Sequence, residues 1–222
     1  IVAGRNPVLI SVVGGLMILL LSLYMAHGFN RRTTVALAGT MITLVLASVL
    51  SMVVVSFAKL FGLGSEESLS LLQGQLQNIN MRGLYLGGII IGALGVLDDI
   101  TTAQSATVDE LHRANPALSR AELFRRGTSV GREHIASLIN TLALAYVGAS
   151  LPLMLIFTQT DFPLWVIFNS EFVVEEIMRT LVGSIALILA VPITTWLAAW
   201  VFSKRPVDPN EKHDELHHWH SH

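Results

Sequence analysis

The sequence predicts an all-α, polytopic membrane helix bundle of about five transmembrane helices, with a cytoplasmic amphipathic helix between the third and fourth. Three observations carry that expectation. Of 222 residues, 52% are hydrophobic and only 14% charged, where soluble domains run near a quarter charged. The apolar residues gather into five runs of about twenty or more, the length a helix needs to cross a hydrocarbon core about 30 Å thick. Those runs are too long and continuous for the strands of a barrel, the other fold that satisfies its backbone in lipid.

The first run, PVLISVVGGLMILLLSLYMA at 7–26, is longer than a signal-peptide core and lacks a small-x-small cleavage pattern, so it reads as a retained span. Because the chain opens on Ile1 rather than Met, further residues are expected upstream. A short basic loop, HGFNRRTT, leads to the second span at 33–57, and the polar connection GLGSEESLSLLQGQLQNIN leads to the third at 83–107.

The next connection, 109–133, contains Asn115-Pro116, which breaks a helix, and then Ser119 and Glu122 at capping-box spacing. A short amphipathic helix is expected there, with Leu118, Leu123 and Phe124 on one side, lying along the inner membrane surface. The fourth span covers 134–157. The segment DFPLWVIFNSEFVVEEI combines aromatics with acids and suits a position at the membrane interface or a re-entrant path. The fifth span covers 178–202. Residues 1–203 thus form one transmembrane domain, and 204–222, ending in HDELHHWHSH, a disordered cytoplasmic tail. Histidine tracts can bind metal weakly, which makes His217, His218 and His220 the metal candidates, but a plain low-complexity tail explains the same composition.

Alternating the loops across five spans separates the 14 basic residues. Ten fall on one side, among them Arg31, Arg32, Arg113, Arg120, Arg125 and Arg126. Arg5, Lys59, Arg82 and Arg179 fall on the other. The positive-inside rule then places the N-terminus of this segment outside and its C-terminus in the cytoplasm. The net charge of −2 gives no basic field, so no nucleic-acid partner is expected. With no cysteine, the chain has no disulfide, no thiol nucleophile and no cysteine-based zinc site.

Within the third span, GALGVLDDITTAQSATVDEL sets two adjacent carboxylates, Asp98 and Asp99, into apolar sequence. Asp98 comes fifteen residues after Gly83, about 22 Å along the helix and inside the hydrocarbon. An ionised carboxylate at mid-membrane costs about 2.5 kcal/mol or more. Desolvation and a neighbouring like charge both favour the protonated form, so such a pair is suited to load and unload protons. Asp98, Thr102, Ser105, Asp109 and His112 follow at steps of four, three, four and three, forming one polar face. Gly88, Gly92, Gly95 and Asp99 form a second, small face that would let a helix approach closely. The fourth span is the expected neighbour, with Ser137, Asn140 and Thr141 as its polar lining. Singly, those hydroxyls can equally bond back to their own helix, and Asn140 can simply join two helices.

GVLDDITTAQSATVDEL, the ELFRRG segment and the block GREHIASLINTLALAYVGASLPLML together closely resemble the YibE/F family of bacterial membrane proteins, over nearly the whole chain. That resemblance implies a multi-span protein of the bacterial inner membrane and leaves its biochemical role open. In layout the Asp-Asp helix is also similar, more distantly, to spans of resistance-nodulation-division transporters and of the SecD/SecF translocation subunits. The second likeness implies that Asp98 and Asp99 relay protons, although those proteins set a lysine against the acids and this chain has no lysine within a span.

The function expected is therefore a proton-coupled transporter, or a subunit of one, with protons, an unknown small substrate and the lipid bilayer as partners, no cofactor, and a possible homo- or hetero-oligomeric state. Two alternatives stay open. Adjacent aspartates at a membrane also suit Mg²⁺-dependent phosphotransfer, as in polyprenyl-phosphate sugar-phosphate transferases, and a non-transporting scaffold of a membrane complex needs no chemistry at all. Intramembrane aspartyl proteolysis would need a second Asp on another span, and HExxH and GxSxG are absent.

Overall fold

A computed structural model describes residues 6–73, 79–159 and 162–204. Those residues form helices and connections with no strand. In chain order the helices are α1 (Pro7–His27), α2 (Arg31–Phe57), α3 (Glu66–Gln73), α4 (Met81–Ala114), α5 (Arg120–Ala149), α6 (Leu151–Thr158), α7 (Leu164–Phe168) and α8 (Glu171–Phe202). Four of them, α1, α2, α4 and α8, are singly long and apolar enough to cross a membrane. A fifth crossing is made if α5 and α6 act as one broken span, bent by 47°. Pro152 explains the break, because it offers no amide to continue the ladder past Ser150. The His-rich tail, with His217, His218 and His220, lies outside the described residues.

Helix α4 occupies the centre and packs against α1, α2, α5 and α8. Partners along its length give the directions. Arg82 bonds Ser56 at one end of α2, Thr101 bonds Thr40, and Ser105 bonds Arg32 at the other end, so α2 runs antiparallel. Tyr85 and Gln104 bond Glu175 and Thr195 in rising order, so α8 runs parallel to α4. The largest core cluster joins Leu19 and Leu23 of α1, Leu44 of α2, Leu94, Leu97 and Ile100 of α4, and Leu187 and Val191 of α8. Outward-facing Ile18, Leu21, Val45, Val49, Leu181 and Ile188 stay exposed. On a soluble protein such a band would drive aggregation, whereas here it is the surface that meets lipid tails.

Close helix contacts are built on glycine, but not on the face the sequence suggested. A Cβ at Gly39 of α2 would overlap Thr194 of α8, and one at Gly87 of α4 would overlap Ser11 of α1. On α5, a Cβ at Gly131 would lie 2.5 Å from Val191 and 2.7 Å from the Gln104 carbonyl oxygen. By contrast, nothing lies within 4 Å of a Cβ built at Gly88, Gly92 or Gly95. Among the described residues, the small face of α4 is therefore open at these three glycines.

The connection before the fourth span also differs from expectation. Ser119 and Glu122 form the capping box, each bonding the other's backbone amide, but the helix they start does not stop. It runs on as α5 to Ala149, because no breaker separates Arg120 from the apolar sequence and the two glycines in between serve packing. Leu118 and Leu123 are buried against Val35, Val108, Ala198 and Phe202. They anchor the first turns of a long helix to the bundle and do not lie on a free surface helix.

Candidate functional site

Asp98 and Asp99 occupy α4 well inside its apolar length. Adjacent helical positions point about 100° apart, so the two carboxylates meet different surroundings. Asp98 is half-buried, and its Oδ1 is shielded from solvent without a hydrogen-bond partner. One turn on, the Thr102 hydroxyl is also buried and unpartnered. Thr101 does not serve the carboxylate: its hydroxyl reaches the Asp98 backbone oxygen at 3.3 Å. The imidazole of His27, at the end of α1, is within electrostatic reach of Asp98. Asp99 is exposed, one helical step beyond Gly95 on the face that carries Gly88, Gly92 and Gly95.

Toward the basic end of the bundle the expected polar face continues, and its neighbour is the start of α2. Ser105 is fully buried and donates to the Arg32 backbone carbonyl at 2.9 Å. Asp109, also fully buried, accepts from Arg32 Nε and lies 3.3 Å from Arg113 Nε. The Arg32 guanidinium reaches Glu110 as well, so one side chain bridges two acids. A buried carboxylate is tolerated when cations and donors offset its desolvation, and two arginines supply that here. His112, one helical step further, is buried too.

Among the described residues, none of the polar side chains expected from the fourth span hydrogen-bonds the shielded Asp98 Oδ1. Ser137, Asn140 and Thr141 are exposed, and the Thr141 hydroxyl bonds back to the Ser137 carbonyl at 3.0 Å. A different polar layer, unmarked in the sequence reading, crosses the core between α2, α4, α5 and α8. Gln104 Nε2 donates to Gly127 O at 2.8 Å and Thr195 Oγ1 at 2.7 Å, joining three helices. Thr40 and Thr101 share a hydrogen bond of 2.6 Å, and the fully buried Thr194 hydroxyl has no partner. The spacing of Thr101 and Gln104 at i, i+3 was a legible hint, but α4 is so rich in small polar residues that the hint does not stand out.

Chemically, the arrangement offers one shielded carboxyl oxygen beside a hydroxyl, a second carboxyl on the open flank, and a neutralised acid two to three turns on. Among the described residues no three His, Asp or Glu side chains are grouped so that they could hold a metal ion. A cleft of about 260 Å³ between the broken span and α8, lined by Tyr146, Met154, Phe157, Ile177 and Leu181 among others, is apolar and separate from the pair.

The span-length helices and their lipid-facing exterior define a multi-pass helical membrane protein. The model of the YibE/F-like protein family matches residues 1–204. The chain therefore belongs to the YibE/F-like family. Comparison with curated proteins and with solved structures gives no match.

Proposed function

We propose that this protein is a proton-coupled transporter, or a subunit of one, in which Asp98 and Asp99 carry the proton. The supporting observation is the shielded, unpartnered Asp98 Oδ1 beside the unpartnered Thr102 hydroxyl, inside a membrane span and next to a second carboxyl. A charged oxygen there is shielded and has no donor among the described residues, and the adjacent acid makes double ionisation costlier still. The lower-energy state holds a proton on the pair. Thr102 and Ser105 continue the polar face from the pair to Asp109, the direction a proton would take toward the basic end. Ser137, Asn140 and Thr141, exposed on α5, complete the polar lining.

By the positive-inside rule the end bearing Arg32, Arg113 and Arg120 faces the cytoplasm, which fits a bacterial inner-membrane location. The transported molecule is a small solute. Proteoliposomes carrying the protein, loaded under an imposed pH gradient with a small-molecule extract and read by mass spectrometry, test the reading. Compounds that accumulate with the wild type and fail to do so with D98N/D99N support it. Equal accumulation with both, or with neither, rejects it.

A further inference from the structure

The break between α5 and α6 leaves a wedge beside α8. Before the break the helices touch: a Cβ on Gly183 of α8 would lie 3.4 Å from the Leu142 side chain of α5. Past it, α6 is turned by 47° from α5 and packs far less against α8 than α5 does. The space between them is the cleft of about 260 Å³, which follows α8 from Leu181 back to Val173, about 12 Å at the helical rise. Tyr146, Met154, Phe157, Ile177 and Leu181 are among its walls.

Two polar side chains of α8 touch this cleft, and both are engaged within the helix. The Thr180 hydroxyl donates to the Glu176 backbone oxygen at 2.9 Å. Glu176 turns Oε1 to Arg179 at 3.2 Å, and its Oε2 is shielded from the surface. A polar solute therefore gains little here. Water gains little either, since an apolar cavity stays dry, while an empty one forfeits the dispersion contacts its walls would make. The rim points to the occupant. Val147 and Met154 on one side and Ile177 and Leu181 on the other are exposed, and they run on into the exposed Leu155 and Ile188 of the lipid-facing band. The cleft is thus continuous with the surface that meets lipid tails. A second helix, about 10 Å across, cannot follow a wedge that closes to contact at Leu142 and Gly183. One hydrocarbon chain can.

We propose that the cleft holds one acyl chain of a membrane phospholipid, which fills the space between α6 and α8 and supplies the packing that the break removes. The site is read from the cleft alone and does not rest on the role of Asp98 or Asp99.

Photolabelling of the full chain tests it, in micelles of a steroid-based detergent whose rigid rings do not fit the wedge. The probe is a phosphatidylglycerol with a diazirine on one palmitoyl chain, added at a few molecules per protein, and labelled peptides are mapped by mass spectrometry. Per residue, labelling of Met154, Ile177 and Leu181 should exceed that of Val45 and Val49 on the exposed face of α2 by about tenfold, the ratio given by about 1.4 kcal/mol of preferred contact. Excess unlabelled long-chain phosphatidylglycerol and phosphatidylethanolamine should compete equally, and dihexanoyl phosphatidylglycerol should not. Ala143 lines the narrow end, so Ala143→Phe should bring cleft labelling down to the α2 level. Leu144 is exposed outside the cleft, and Leu144→Phe should leave the labelling unchanged. Wild-type labelling in the cleft no higher than on α2, as when a second copy or a small apolar solute sits there, overturns the proposal without reference to any variant. So does cleft labelling that survives Ala143→Phe, or competition that follows one headgroup whatever the chain length. Because transport is not measured, failure here leaves the Asp98–Asp99 reading untouched, and failure there leaves the lipid site untouched.

Discussion

Gln104 is the side chain whose removal should weaken the bundle most legibly. It is buried, and its amide group donates to Gly127 O on α5 and to Thr195 Oγ1 on α8. Gln104→Leu keeps the volume roughly constant and deletes both bonds. Within membranes an interhelical hydrogen bond is worth about 0.6 kcal/mol on average and up to about 1.7 kcal/mol, so two bonds give a loss of about 1–3 kcal/mol. The Gly127 carbonyl lies within α5 and the Thr195 hydroxyl still donates to Val191 O at 2.6 Å, which keeps the loss toward the lower end. Thr195→Val isolates one of the two bonds. In a double-mutant cycle the coupling between positions 104 and 195 should be about 0.6–1.7 kcal/mol. Reversible unfolding in mixed micelles, followed by far-ultraviolet circular dichroism, measures each corner of the cycle. A coupling indistinguishable from zero, with both single variants destabilised, would show that the Gln104–Thr195 bond does not exist in the folded protein.

Three further outcomes follow from the same packing. Gly39→Ala should destabilise by about 1–3 kcal/mol through overlap with Thr194, and Thr194→Ala should restore most of the loss in the same unfolding assay. Arg32→Gln removes one cation beside the buried Asp109 and the partner of Glu110, leaving Arg113 at 3.3 Å. Breaking a buried pair costs about 3–5 kcal/mol, and the remaining Arg113 should hold the loss to about half of that, measured by thermal unfolding. Ser119→Ala deletes one arm of the α5 capping box and should cost about 1 kcal/mol, with exchange of the Arg120–Leu123 amides rising first.

Hydropathy alone made the helical membrane character legible, because spanning helices must be continuous and apolar whatever they pack against. The α5 start was legible too, since Ser119 and Glu122 act locally. Neighbour relations were not. Periodicity says that Asp98, Thr102, Ser105 and Asp109 share a face, but not that the start of α2 covers its inner half, and Arg32 read as a loop residue that merely set topology. Glycine spacing was misleading for a similar reason. Gly88, Gly92 and Gly95 are regularly placed yet meet nothing within 4 Å among the described residues, while Gly39, Gly127 and Gly131 make the contacts. Asn140 and Thr141 are placed toward the pair by depth and by sharing a face with Ser137, and neither criterion fixes the rotation of α5 about its own axis. The acceptance of the Phe61 to Gly64 backbone amides by Glu171 and Glu175 was hidden because backbone amides leave no side-chain signature.

The most direct test of the proton-bearing pair is the infrared spectrum of the purified protein in lipid at neutral pH, taken as wild type minus D98N/D99N. The pair as proposed predicts a carbonyl stretch of a protonated carboxylic acid in the wild type that is missing from the double variant and disappears on alkalinisation. A difference spectrum showing only carboxylate bands, with both aspartates ionised at neutral pH, would contradict it.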